Sequence, residues 1–177
     1  NTKRLDSPEK INGTAQFGMD AKLPGLLTAV VARSPVLGGK MLSFNADKAK
    51  AIKGVRGVFA TKSPTSEGVA VLADTFWAAK QGRDALEIKW EDGANAKLNT
   101  PDMMKTLTDM AQGKAGEVKT AKKEGDVATA KSAKTIEAIY QVPYLVHAPM
   151  EPMNCTAWVK ADSCELWVGS QSQTVDQ

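Results

Sequence analysis

A chain of 177 residues has room for one large domain, or for one domain and part of a second. With 42% hydrophobic and 24% charged residues it is ordinary globular material, and a net charge of +3, its acids mixed among its bases, is too small for a nucleic-acid footprint. No apolar stretch approaches the ~20 residues that cross a bilayer, and a start at Asn1 without a charged and then apolar leader reads as an internal piece whose targeting signal would be lost.

Strand signals begin at residue 25, where an apolar, β-branched run to residue 32 closes at Ser34-Pro35. Asn45 stands at an N-cap position, Ala49 and Ile52 share a face, and Gly54 is a natural C′ residue, so a short helix is predicted over 46–53. Residues 55–61 and 69–73 read as further strands. Asp74 or Thr75 caps the next helix, which places Ala78, Ala79, Gly82, Ala85 and Leu86 on one side. Gly82 lowers helix propensity by ~1 kcal/mol against alanine, and a close approach to a sheet is the expected compensation. A strand over 86–90 follows, ending at Glu91-Asp-Gly.

From residue 95 the character changes. Thr100 reads as a cap, Pro101 takes the first turn, and Asp102 suits the positive helix start. Met103, Met104, Leu107, Met110 and Ala111 form an apolar stripe, predicting a helix over 100–112 whose stripe is core. A soft-ligand groove is the rarer use of such a methionine stripe. The lysines of 114–134 are interspersed with Glu117, Glu124 and Asp126 and with no aromatic residue, which fits a solvated connector. A short helix over 126–133 and a strand over 135–140 are expected next.

Cys155 and Cys164 match no zinc or redox spacing. Two reduced, partly buried thiols on neighbouring strands are expected, with a disulfide across a hairpin as the minority alternative that geometry decides. Val36-Leu-Gly-Gly-Lys lacks the spacing of a phosphate-binding loop, and Asn154-Cys-Thr is only a formal glycosylation match.

The C-terminal region carries two blocks. The first is Tyr140-Gln-Val-Pro-Tyr-Leu-Val-His-Ala-Pro-Met-Glu-Pro-Met-Asn-Cys-Thr, in which the sole histidine, His147, precedes Glu151 by four residues. The second is Trp167-Val-Gly-Ser-Gln-Ser-Gln, with Gln171 just after a strand-like stretch. Together they resemble the opening of the molybdenum-binding region in large subunits of the xanthine dehydrogenase / aldehyde oxidase family. Upstream, Arg4-Leu-Asp-Ser-Pro-Glu-Lys-Ile-Asn-Gly-Thr-Ala-Gln-Phe-Gly-Met-Asp and Leu23-Pro-Gly-Leu-Leu-Thr-Ala-Val-Val-Ala-Arg-Ser-Pro resemble that family's α/β hammerhead domain. So do Gly54-Val-Arg-Gly-Val and Gly68-Val-Ala-Val-Leu-Ala-Asp. The run from Phe76 to Leu86 and the Ala-Pro-Met-Glu-Pro block are most similar to the bacterial isoquinoline 1-oxidoreductase branch.

The resemblance implies an α+β chain: a hammerhead domain with a mixed sheet and short helices over 1–92, a helical connector over 93–132, and the truncated, β-rich start of the molybdopterin-binding domain over 133–177. It implies hydroxylation of an aldehyde or N-heterocycle, with oxygen from water and electrons passing through the pterin to iron–sulfur clusters. The cofactor is expected in its cytosine dinucleotide form in the full-length enzyme, with none bound by this piece alone. Expected partners are an iron–sulfur small subunit, a cytochrome c acceptor and the remainder of the large subunit, with no nucleic acid and no membrane insertion. A periplasmic location is expected by resemblance, with the cytoplasm as alternative.

Of the family's machinery only Gln171 carries over, as the glutamine whose amide hydrogen-bonds an oxygen ligand of molybdenum. Such a neutral N–H donor orients the ligand without competing for the metal. The catalytic glutamate and the glycine-rich pterin loop lie beyond Gln177, so no catalytic residue is expected here. Glu151 reads as a structural carboxylate and His147 as a satisfied buried or interface histidine. Two alternatives stand beside this reading. One is a non-catalytic hammerhead-fold scaffold module, and the other a small hydrolase using Cys155 with His147, which lacks a third orienting group.

Overall fold

The structure is a computed structural model and describes residues 2–64, 66–126, 129 and 133–176. By contacts it divides into two compact units, one of Gly25–Ala133 and the other of Asn1–Pro24 with Lys134–Gln177. Helices and small sheets are combined, and every described strand pairing is antiparallel.

In the larger unit a three-stranded sheet is ordered β1 (Thr28–Arg33), β4 (Glu67–Ala73), β3 (Val55–Lys62). β4 is central, and its Val69, Val71 and Ala73 are fully enclosed. β1 alternates half-buried and exposed residues, as a strand with one covered face must. That cover is α3 (Phe76–Asp84), whose Ala78, Ala79 and Gly82 are buried. The sequence allowed Asp74 or Thr75 as its cap. The structure uses the Thr75 side chain, which accepts from Ala78 N–H. Val30 and Val55 close over Ala73, Ala78 and Ala79.

The core is built of small side chains, its largest fully buried members being Val69 and Val71. Small residues on both sides bring helix and sheet close together. A Cβ on Gly82 would stand 2.7 Å from Val71 Cγ1 and 3.1 Å from Val55 Cγ2. The expected close approach is therefore present. Before β3, α2 (Asp47–Lys50) ends toward Gly54 at φ 92°, a left-handed position that favours glycine. Asn45 Oδ1 accepts from Asp47 N–H at 2.8 Å.

A second, two-stranded sheet joins β2 (Lys40–Asn45) to β5 (Glu87–Glu91). Strand β2 had no counterpart in the sequence reading. Its half-buried residues are Met41 and Phe44, three apart, because the register slips between Met41 and Ser43. A bulge of this kind removes the two-residue alternation by which a strand is recognised. Glu67 links the two sheets by accepting from Met41 N–H at 3.2 Å. That bond first, and then Lys62, hold its carboxyl below the usual range.

Helix α4 (Thr100–Ala111) lies where expected, with two corrections. The cap is Asn99 rather than Thr100: Asn99 is extended and its Oδ1 accepts from Asp102 N–H at 3.0 Å, while Thr100 is already helical. The stripe is also not core. None of its residues is buried; Met103 and Met104 are half-buried, and Leu107 and Met110 each keep 46% exposure. No described strand or helix makes an extensive contact with this face.

In the smaller unit α1 (Ser7–Asn12) ends at Gly13, and a 3-10 turn spans Gly18–Asp20. Strands β6 (Cys155–Val159) and β7 (Cys164–Val168) form a hairpin, followed by α5 (Gln173–Asp176). The strand expected over 135–140 is not formed: the segment has no regular structure, and Ile136, Ile139 and Tyr140 are exposed. A strand requires a neighbour to take its backbone hydrogen bonds, and no described strand runs beside it. The helix expected over 126–133 lies mostly outside the described residues.

Candidate functional site

Gln171 sits on an exposed bend three residues beyond the end of β7. Trp167, half-buried on β7, faces Thr156 across the hairpin and fixes the strand from which the bend departs. Gly169 and Ser170 continue the chain, and Ser170 Oγ accepts from Ser172 N–H at 3.1 Å, turning the backbone toward α5. The side-chain amide of Gln171 is thus presented at the tip of a short, hydrogen-bonded turn.

Behind this turn lies a cluster that joins parts of the sequence far apart. Glu151 is half-buried, and its Oε1 accepts from Gly18 N–H at 3.1 Å and from Asn154 Nδ2 at 2.9 Å. Asn154 Nδ2 also donates to Pro152 O at 2.8 Å. Its Oδ1 is buried against Gly18 without a hydrogen-bond partner, so close that a Cβ on Gly18 would stand 2.5 Å away. Thr156 Oγ1 donates to Gly18 O at 3.4 Å. The Phe17 N–H, one residue earlier, is taken by Asp20 Oδ2 at 3.0 Å. Gly18 is therefore held by Glu151 and by Thr156 of β6, and a side chain there would have to push the Asn154 amide aside.

Glu151 is a structural carboxylate, as its sequence context indicated. One oxygen already serves two donors. His147 was expected to be buried or at an interface; it is not buried, and lies exposed in the irregular segment before residue 150. Among the described residues no hydrogen bond links it with Cys155, and no group of three or more His, Cys, Asp or Glu gathers as a metal would require. Cys155 and Cys164 are on neighbouring strands and reduced, but they are exposed rather than partly buried. Their register partners are Val168 and Val159, so they stand at opposite ends of the hairpin. Four residues of strand separate them, on the order of 13 Å, beyond the reach of a disulfide.

Gly18 and Asn154 escaped the sequence reading as site residues. Asn154 stood out only as a formal glycosylation match, and its amide nitrogen is now seen to be committed to Glu151 and Pro152. No local periodicity signals a contact spanning 133 positions. Away from the cluster, Lys10 first and then Arg4 hold the Asp6 carboxyl down at about 2. Among the described residues no helix is long and apolar enough to cross a membrane.

No family model matches the chain. It is 32% identical over 178 residues to the "Membrane-bound aldehyde dehydrogenase [pyrroloquinoline-quinone]" of Gluconacetobacter polyoxogenes, a match covering 98% of this chain and 23% of that protein. It is 31% identical over 185 residues to isoquinoline 1-oxidoreductase subunit beta of Brevundimonas diminuta, with the same coverage. A shorter match, 43% over 58 residues, covers 33% of the chain and 14% of the nicotinate dehydrogenase large molybdopterin subunit of Eubacterium barkeri. Quinoline 2-oxidoreductase from Pseudomonas putida 86 aligns in structure with a TM-score of 0.43 at 17% identity, over 51% of this chain and 16% of its own. The chain spans about a quarter of the length of the two curated relatives it matches end to end. Along nearly all of its length the chain is homologous to an aldehyde dehydrogenase and to an isoquinoline 1-oxidoreductase subunit, and over a third of it to a nicotinate dehydrogenase molybdopterin subunit, the group of proteins that its motifs resemble.

Proposed function

We propose that this chain supplies the hammerhead scaffold (1–92), the helical connector (93–132) and the opening of the metal domain (133–177) of a molybdenum hydroxylase large subunit. The reaction is hydroxylation of an aldehyde or an electron-poor carbon of an N-heterocycle, with water as oxygen source. The observation that carries this reading is homology over 98% of the chain to an aldehyde-oxidising and an isoquinoline-oxidising protein. The Gly169-Ser-Gln turn adds to it by presenting an exposed amide after a strand.

The residues present fit a molybdopterin in a limited way. The chain offers a neutral donor in Gln171, and among the described residues no cluster of anionic or imidazole ligands, so its contribution is a hydrogen bond rather than coordination. When bound, the cofactor supplies two-electron redox chemistry and a route for the electrons. Gln171 would help to hold and orient that group by donating its side-chain amide N–H, without acting as a ligand of the metal. Glu151 shares one oxygen between two N–H donors and is assigned a structural role rather than that of the base. The general base belongs to a part of the large subunit outside this chain, which alone turns over nothing. When bound, the pterin would carry a cytosine nucleotide, and the partners would be an iron–sulfur small subunit and a cytochrome c acceptor, in the periplasm or alternatively the cytoplasm.

A quinone reading also has an observation behind it, because the Gluconacetobacter relative is named for pyrroloquinoline quinone. The Eubacterium relative is named for molybdopterin, and the Ser-Gln block supports that choice. Elemental and nucleotide analysis of the assembled enzyme separates the two. About one molybdenum per large subunit, with cytidine monophosphate released on hydrolysis, is expected. A quinone without molybdenum would overturn the proposal, and neither cofactor would leave the non-catalytic scaffold module.

A further inference from the structure

The Glu151 cluster ties the N-terminal turn to strand β6 of the hairpin through Thr156 and lies beside the chain leading to Gln171. We infer that Glu151, held by Gly18 and Asn154, is a positioning residue that sets the Gly169–Gln171 turn from behind. This inference rests on the reading of Gln171 given above. The geometry supports it at three points. Glu151 Oε1 is saturated by Gly18 N–H and Asn154 Nδ2 at 3.1 and 2.9 Å, so the carboxylate cannot rotate without orphaning two donors. Its Oε2 faces the first residue after β7, lying 3.7 Å from where a Cβ on Gly169 would stand. Gly18 is seated over the end of the same strand, where its Cβ would lie 3.4 Å from Trp167 O.

Glu151 thus holds the Gly18 peptide with one oxygen and faces Gly169 with the other. Removing it frees the N-terminal turn and leaves a gap against the start of the Gln171 turn. The catalytic consequence is indirect, because Glu151 touches neither substrate nor cofactor. It follows that the charge of Glu151 is dispensable while its shape and acceptor oxygen are not. A glutamine keeps one oxygen that accepts from both donors, and an alanine keeps none.

The test compares Glu151→Ala, Glu151→Gln, Gly18→Ala and Gln171→Ala in the assembled enzyme. The readouts are amide hydrogen exchange by peptide mass spectrometry and kcat and KM per bound molybdenum. Glu151→Ala is expected to speed exchange by about tenfold both at Gly18 and across residues 169–171, since the acceptor oxygen and the support it gives are lost together. It should lower kcat on the order of tenfold with KM unchanged, the size expected of a sub-ångström misplacement. Glu151→Gln restores both. Gly18→Ala, which pushes Asn154 aside, reproduces the alanine phenotype without altering the carboxylate. Three results would overturn the inference: exchange that quickens at Gly18 but not across 169–171, a kcat untouched by Glu151→Ala, or a Glu151→Gln enzyme as slow as Glu151→Ala, which would give the charge itself a role. An inert Gln171→Ala is a separate failure. It removes the function assigned to Gln171 while the exchange data still decide whether Glu151 sets the turn.

Discussion

Replacing Gly82 by alanine opposes two terms of known size. Alanine raises helix propensity by ~1 kcal/mol over glycine in the interior of α3. The new Cβ, however, would stand 2.7 Å from Val71 Cγ1 and 3.1 Å from Val55 Cγ2, where carbon atoms prefer about 3.5–4.0 Å. Val71 has no exposure and belongs to the central strand, so it has nowhere to withdraw. Overpacking of this kind typically costs about 1–3 kcal/mol. The net expectation is destabilisation by about 1 kcal/mol, or roughly 2–4 °C in Tm for a chain of this size. Urea titration followed by far-ultraviolet circular dichroism measures it. The decisive control is Val71→Ala, which removes the clashing methyl: in that background Gly82→Ala should be neutral or stabilising, giving a coupling of about 1 kcal/mol or more. A Gly82→Ala chain more stable than the parent would refute the close helix–sheet approach on which the small-residue core depends.

Three further outcomes follow from the same structure. Gln171→Ala in the assembled enzyme should slow kcat by about a hundredfold, ~3 kcal/mol, with molybdenum content unchanged, because a preorganised donor acts where charge shifts. Loss of metal instead would give Gln171 a cofactor-retention role. Cys155 and Cys164 should both react with a thiol reagent in the folded chain without denaturant; only one reactive thiol, or none, would contradict their exposed, unbridged placement. The Asp6 carboxyl, followed by NMR, should titrate near about 2, held down first by Lys10 and then by Arg4. Its folded value is depressed, so its support for the turn around α1 is complete above about 4, the ordinary value, and fades as pH falls toward 2. A midpoint near 4 would mean that neither pairing persists.

Much of the larger unit was legible because its elements satisfy local rules. The helix from Phe76 was marked by a capping threonine and a face of small residues, and β4 by an unbroken apolar run. The Gly54 turn needed only the preference for positive φ. Strand β2 was hidden because a bulge set Met41 and Phe44 three residues apart. The stripe on α4 gave the helix correctly and its environment wrongly, since periodicity reports which face is apolar and not what lies against it. The 135–140 segment failed for a related reason. β propensity needs a neighbouring strand, and none is described beside it. At the candidate site, Gln171 was located by family resemblance and Glu151 by its proline-flanked block. Their link through Gly18 depends on a fold that returns residue 18 to residue 151, and only coordinates show it.

We propose hydroxylation with oxygen drawn from water. It is tested most directly by single turnover of the assembled enzyme on an N-heterocycle in oxygen-18 water, with the product weighed by mass spectrometry. One labelled oxygen in the product, independent of dissolved dioxygen, is the expected result. An unlabelled product that takes its oxygen from dioxygen would contradict the claim.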